Sequence, residues 1–199
     1  MKKVTQFFFP HFLVALVFPA VSYAQVTDPV VMNNNDNGSG SLRQAIADAT
    51  NGSRITFDPG VSGDTIVLTS GSLSINKDLT IDGSTLREAV TISGDADESG
   101  TPTANDSRVF TIHGGIVFFD TLMVTGGYPN SPGGGGGIVV LGGNLTIDST
   151  TVYDNQSSTG GYDGGGIWHS APLTVVNSTI SGNVASSSTG NSTDPIHGG

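Results

Sequence analysis

The sequence predicts an all-β solenoid, a coil of short parallel strands stacked rung upon rung. Three observations carry that expectation. The stretch Leu145–Asn155 (LTIDSTTVYDN) returns as Leu173–Asn183 (LTVVNSTISGN), displaced by 28 residues at every position, and a looser copy, Val117–Gly127, lies 28 residues upstream. A repeat of this length marks a chain built from stacked supersecondary units. Short β-branched runs recur along the chain, separated by Gly, Asn and Asp, as strands joined by tight turns require. Finally, Gly-Gly-Gly-Ile occurs ahead of each of the last two copies, at Gly135–Ile138 and Gly164–Ile167.

Composition agrees with that architecture. Charged residues are only 12% of the 199, and 29 are glycine. Such a chain would be disordered without its regularly spaced apolar runs. The net charge is −10. A surface of that sign offers no basic footprint for nucleic acid or anionic membrane. There is no cysteine, so disulfide staples and thiolate metal centres are excluded.

Met1–Ala24 reads as a secretory leader. Lys2 and Lys3 supply a positive start, Phe7–Val17 is mostly apolar, and Ser22-Tyr23-Ala24 places small residues before a cleavage point at Gln25. Pro10, His11 and Pro19 interrupt the apolar run, which is too short to span a bilayer. The mature chain is therefore expected to be exported, with no membrane span of its own. Loss of the two lysines leaves five basic against 17 acidic residues, about −12.

Residues 25–40 form a polar entry segment in which Val26–Met32 is a candidate first edge strand. Residues 41–52 hold the one convincing helix, expected over Ser41–Thr50. Ser41 and Gln44 have capping-box spacing. Leu42, Ala45, Ile46 and Ala49 form one apolar stripe, and Asn51-Gly52 supplies a stop. So short a helix is marginal alone. Its expected role is to plug the open end of the solenoid, covering core and unpaired strand edges.

From residue 53 to 199 the chain reads as solenoid. Strands are expected at Ile55–Phe57, Thr65–Thr69, Leu73–Ile75, Leu79–Ile81, Val90–Ile92 and Val109–Ile112. In the repeats, Leu145 and Ile147 point inward, a turn follows at Asp148–Thr150, Val152 points inward again and Asn155 closes the side. Leu173, Val175, Ile180 and Asn183 take the same places one rung later. Rungs about 4.8 Å apart stack like on like, so Asn155 over Asn183 predicts an amide ladder, broken at Gly127 in the upstream copy. The glycine triplets mark a bend that needs conformations open to glycine. Ile196–Gly199 looks like another such element beginning, so the chain reads as an N-terminal fragment with a frayed last rung.

Ser39–Ile46 (SGSLRQAI), Ile55–Pro59 (ITFDP) and Leu79–Gly83 (LTIDG) together resemble the N-terminal region of large secreted bacterial β-helix proteins, which open with a Ser-Leu-Arg-x-Ala helix. The Gly-Gly-Gly-Ile and apolar-x-x-Asn elements are similar to repeats of polymorphic outer-membrane and autotransporter-like adhesins. Where those repeats commonly carry Phe, this chain has Val152 and Ile180. The resemblance spans nearly all of residues 26–199. It implies a right-handed, single-stranded parallel β-helix of the pectin-lyase-like type, found at the cell surface or secreted. It leaves activity open, because the fold also carries polysaccharide lyases and hydrolases.

Candidate chemistry is sparse. Glycoside hydrolysis needs two converging carboxylates. Asp120 and Asp148 sit in nearly matching places of successive copies, read as one position apart, and Asp154 and Asp163 flank the next loop. Turn carboxylates capping backbone N–H groups account for the same residues. A lyase would add a base, and the nearby ones are Lys77, Arg108, His113 and His169, none tied by a motif to a carboxylate cluster. Trp168 and Tyr162 offer rings for stacking on a sugar or for packing a turn. Asp95–Asp106 has oxygen-bearing residues at positions 1, 3, 5, 9 and 12 and glycine at 6, the spacing of a calcium loop. Its candidate ligands are Asp95, Asp97, Ser99, Thr101 and Asp106. Asp106 stands where such loops carry Glu, Pro102 interrupts it, and no helices flank it. An acidic solvent loop is the competing account. The expectation is a non-catalytic, adhesin-like scaffold presenting loops to polysaccharide or cell-surface ligands. The alternatives are a lyase or hydrolase, or a calcium-stabilised surface module.

Overall fold

The computed structural model describes residue 26 and residues 28–129, 134–157 and 164–185. The leader Met1–Ala24, the aromatic Tyr162, the acid Asp163 and the closing Ile196–Gly199 lie outside the described residues.

Three parallel sheets wind around one core. The first holds β1 (Val30–Val31), β2 (Ser53–Phe57), β5 (Leu79–Asp82), β8 (Ile116–Asp120), β11 (Asn144–Asp148) and β14 (Leu173–Val176), side by side in that order. The second holds β3 (Thr65–Val67), β6 (Val90–Ser93), β9 (Leu122–Thr125), β12 (Thr151–Tyr153) and β15 (Thr179–Ser181). The third holds β4 (Leu73–Ile75), β7 (Phe110–Ile112), β10 (Ile138–Val140) and β13 (Ile167–His169). From β2 onward each strand passes to the next sheet and every third returns to the same one. That order is a parallel β-solenoid.

Register shows why these residues make it. Ile55, Ile81, Phe119, Ile147 and Val175 stack in one column of the first sheet. Ile66, Ile92, Val124, Val152 and Ile180 stack in the second, and Leu73, Phe110, Ile138 and Ile167 in the third. Alternation sends every other side chain inward, and like-on-like stacking merges those into one continuous core. The 28-residue echo is borne out as pairing of Leu145 with Leu173, Ile147 with Val175 and Val152 with Ile180. At the last described level burial falls away. Ile180 is 36% exposed, while Val152 above it is fully buried.

The amide ladder forms. Asn155 Nδ2 donates to Asn183 Oδ1 at 2.9 Å, and at Gly127 the missing side chain is replaced by a backbone N–H donating to Asn155 Oδ1. The glycine triplets are needed as much for closeness as for bend. A Cβ at Gly136 would strike the carbonyls of Gly127 and Gln156, because adjacent turns pack backbone against backbone.

The helix is shorter than its pattern suggests. α1 covers Leu42–Asp48, with Ser41 as N-cap accepting from the Gln44 N–H. The reciprocal half of the capping box is not made, since Gln44 Nε2 donates instead to Asp48 Oδ1. Ala49 turns extended, and Lys77 Nζ crosses from the next rung to the carbonyls of Ile46 (3.0 Å) and Ala49 (2.6 Å). A cation on these free carbonyls ends the helix two residues early. Its buried stripe, Leu42, Ala45, Ile46 and Ala49, closes the core at that end as expected.

Strand bounds shift by a few residues. β3 stops at Val67, because the buried Leu68 already donates across to the carbonyl of Ser93 at the next turn. β1 is the central pair of the expected Val26–Met32 run and pairs with β2.

Candidate functional site

The carboxylates of the first sheet come first, because paired acids were the strongest case for hydrolysis. Asp120 and Asp148 are directly opposite each other, not one position apart, and Asp82 precedes them in the same column. The 28-residue spacing places all strand-end acids in phase. Each is already engaged. Asp82 takes the Arg54 guanidinium and the Ser84 N–H. Asp120 accepts from the Thr121 hydroxyl, and Asp148 from Ser149 Oγ and Asn177 Nδ2. These are turn-capping bonds. The residues after them, Thr121, Ser149 and Asn177, share a left-handed backbone with φ between 48° and 55°.

The bases are dispersed. Lys77 caps the helix. Arg108 donates to the carbonyls of Gly134 and Gly135, and burial lowers its guanidinium pKa from the ordinary value. His169 lies exposed at a strand end with Nδ1 3.1 Å from the Ala171 carbonyl. Trp168 occupies the middle of β13, in register with Val139. None of these cations faces the carboxylate column across a shared groove among the described residues.

The acidic loop folds back on itself. Carboxylate oxygens of Asp95, Asp97 and Asp106 lie within 4.8 Å of one another. That span suits oxygens bound at about 2.3–2.6 Å to one calcium ion. Each acid also closes the loop. Asp95 accepts from the N–H groups of Ser99 and Gly100. Asp106, almost fully buried, accepts from Ala96 and Thr103. Asp97 accepts from Ser99 N–H, Thr103 Oγ1 and Asn105 Nδ2. Ser99 Oγ donates to the Thr101 carbonyl rather than standing apart from it. Three of the five candidate ligands thus converge as carboxylates, while Ser99 and Thr101 bond each other.

Those bonds have a pH consequence. Hydrogen bonds from Ser99, Thr103 and Asn105 lower Asp97 to about 2. Burial raises Asp36 and Asp82, but in each case hydrogen bonds outweigh it. Ser70, Arg43 and Thr69 lower the first, Ser84 and Arg54 the second. Acids with depressed folded pKa values stabilise above the ordinary carboxylate range, about 4. In that window the unfolded chain binds more protons, so stability rises with pH. Melting temperature should therefore fall as pH drops from about 4 toward 2, and Asp82→Asn should lessen the fall. A flat profile across that range would refute these assignments.

Beside the loop runs a groove of about 350 Å³. Its floor comes from four successive levels at the ends of second-sheet strands: Ser93, Thr125–Gly126, Asp154–Gln156 and Gly182. Thr101 and Pro102 of the acidic loop form one wall, and Tyr128 lines it as well. Gly126, Asp154 and Gly182, each 28 apart, carry φ of 62°, 49° and 65°. Asp154 was legible in the sequence only as a loop-flanking acid. Its place among two glycines of the same phase was the signal that marked this position, and neither Tyr128 nor Gln156 had any. Compared with family models, curated proteins and solved structures, the chain matches none.

Proposed function

We propose that this chain is part of an exported, non-catalytic, adhesin-like scaffold, a right-handed β-helix of the pectin-lyase-like type at the cell surface or secreted. It holds side loops and an axial groove rigidly toward carbohydrate or cell-surface ligands. One observation carries the reading: the acids and bases that chemistry would need are spent on structure. Asp82, Asp120 and Asp148 cap turns, and Lys77 and Arg108 satisfy backbone carbonyls. A hydrolase or lyase needs a free acid and base converging on one bond. The leader read in Met1–Ala24 supports export.

Expression of the full chain in a Gram-negative host tests this. Mass spectrometry should find the secreted product beginning at Gln25, and the purified protein should bind cells or glycan-coated surfaces without releasing reducing ends or unsaturated products. Retention of the uncut chain in the cytoplasm would defeat the export reading. Product release from a polysaccharide would establish the enzyme instead.

The convergence of Asp95, Asp97 and Asp106 favours a secondary reading, calcium as a clamp on the acidic loop. Bound there, calcium would neutralise three clustered charges and stiffen one wall of the groove. Calorimetric titration should then show binding that Asp97→Asn weakens, with a raised melting temperature. No heat and no melting shift at millimolar calcium would remove it.

A further inference from the structure

We propose that the axial groove binds a linear neutral oligosaccharide, with the Asp154 carboxylate accepting sugar hydroxyls and Tyr128 packing against a ring face. This deepens the scaffold reading and rests on it.

The groove has the shape for a linear ligand. Its floor spans four stacked levels, or three spacings of about 4.8 Å, near 14 Å along the solenoid axis. A ligand lying there meets a similar surface at each rung, which suits a polymer of repeating units.

Asp154 is the distinctive residue. Its phase-mates Gly126 and Gly182 adopt the same left-handed backbone, a conformation glycine takes freely and an L-residue takes at a cost. The carboxylate lies against Gly182, where any Cβ would collide with its Oδ1. Among the described residues it accepts no hydrogen bond, whereas Asp82, Asp95, Asp97, Asp106, Asp120 and Asp148 all do. A strained residue with a free acceptor, facing a groove, serves the fold poorly. Such positions concentrate at binding sites.

The remaining lining fits a sugar. Tyr128 and Pro102 present apolar faces, and an aromatic ring combines a flat apolar body with a polar tip. Thr125 and Gln156 add polar groups beside them. A mostly apolar cleft with a few placed polar groups is the general form of a small-ligand site. Charge sets the class. Asp95, Asp106 and Asp154 all line this groove, in a chain of net charge −10. Polyuronates and other anionic glycans are therefore repelled.

Isothermal titration of the purified secreted chain with cello-, xylo-, manno- and chitohexaose tests the proposal, with hexagalacturonate as the anionic control. At least one neutral hexasaccharide should bind, and hexagalacturonate should not. Asp154→Gly should weaken that binding at least tenfold while the protein melts no lower, because glycine relieves the backbone. Tyr128→Ala should weaken it similarly, and Tyr128→Phe less. Absence of binding by every neutral hexasaccharide, unchanged affinity in Asp154→Gly, or preference for hexagalacturonate would each overturn it. Cell or surface binding that survives Asp154→Gly would leave the scaffold reading standing without this groove.

Discussion

Phe119→Ala should destabilise the solenoid by about 3–5 kcal/mol, the usual cost of emptying a large buried aromatic site. The side chain is fully buried, and its ring centroid lies 4.6 Å from that of Phe110 at 42°. The pair joins the first sheet to the third across the core. Its column runs Ile81, Phe119, Ile147, so an alanine leaves a void between two aliphatic neighbours that strand pairing holds in place. Domains of ordinary stability have only about 5–15 kcal/mol in hand. In a solenoid each level depends mainly on its neighbours. The damage should therefore appear first as lost amide protection in β5, β8 and β11, together with a lower guanidinium midpoint. Phe118→Ala is the control. Phe118 is one residue away and points outward between Thr80 and Thr146, and its loss should cost well under half as much. Equal effects at 118 and 119 would contradict the inward–outward alternation on which the fold rests.

Asn155→Ala should cost about 2–4 kcal/mol, through unmade hydrogen bonds rather than lost volume. Its side chain is almost fully buried and fully used. Oδ1 accepts from Gly127 N–H, while Nδ2 donates to Val124 O, Tyr153 O and Asn183 Oδ1. Alanine leaves several groups of three consecutive turns without partners, and each buried unsatisfied group costs about 1–3 kcal/mol. Hydrogen exchange reads this directly, since the Gly127 amide loses its acceptor and should exchange much faster. Asn155→Asp keeps the shape but removes the donors and sets a carboxylate against two carbonyls. It should be at least as harmful at neutral pH and partly recover on acidification. Wild-type stability in Asn155→Ala would mean the ladder is incidental to the fold.

The two sites differ in how openly the sequence announced them. Asn155 and Asn183 were legible because a repeat writes the same residue at the same phase, and stacked turns bring such residues into contact. Phe119 was legible as an apolar position in phase with Ile147, but its ring partner was not. Phe110 lies outside the 28-residue pattern, and only the winding of the third sheet carries it to the core side of β8. The acid column shows the same division. Asp120 and Asp148 were readable as near matches, yet their exact opposition and their capping bonds depend on the left-handed turn after each strand. The early end of the helix depends on Lys77, 28 residues beyond Ala49, and nothing local to α1 foretells it.

The groove lay furthest from the sequence. Asp154, Tyr128 and Pro102 are separated by 26 or more residues along the chain where the acidic loop meets the floor, and share no motif. They meet because successive turns advance about 4.8 Å while the 95–106 insert leans over the strand ends. By itself, the sequence determined the parallel solenoid, the capping helix and the amide ladder. Each follows from periodicity, and periodicity acts between like positions of neighbouring rungs. The tertiary structure alone decided which carboxylates cap turns, which one stays free, and where a groove opens. Those outcomes depend on irregular insertions and on contacts between unlike positions, about which a repeat carries no information.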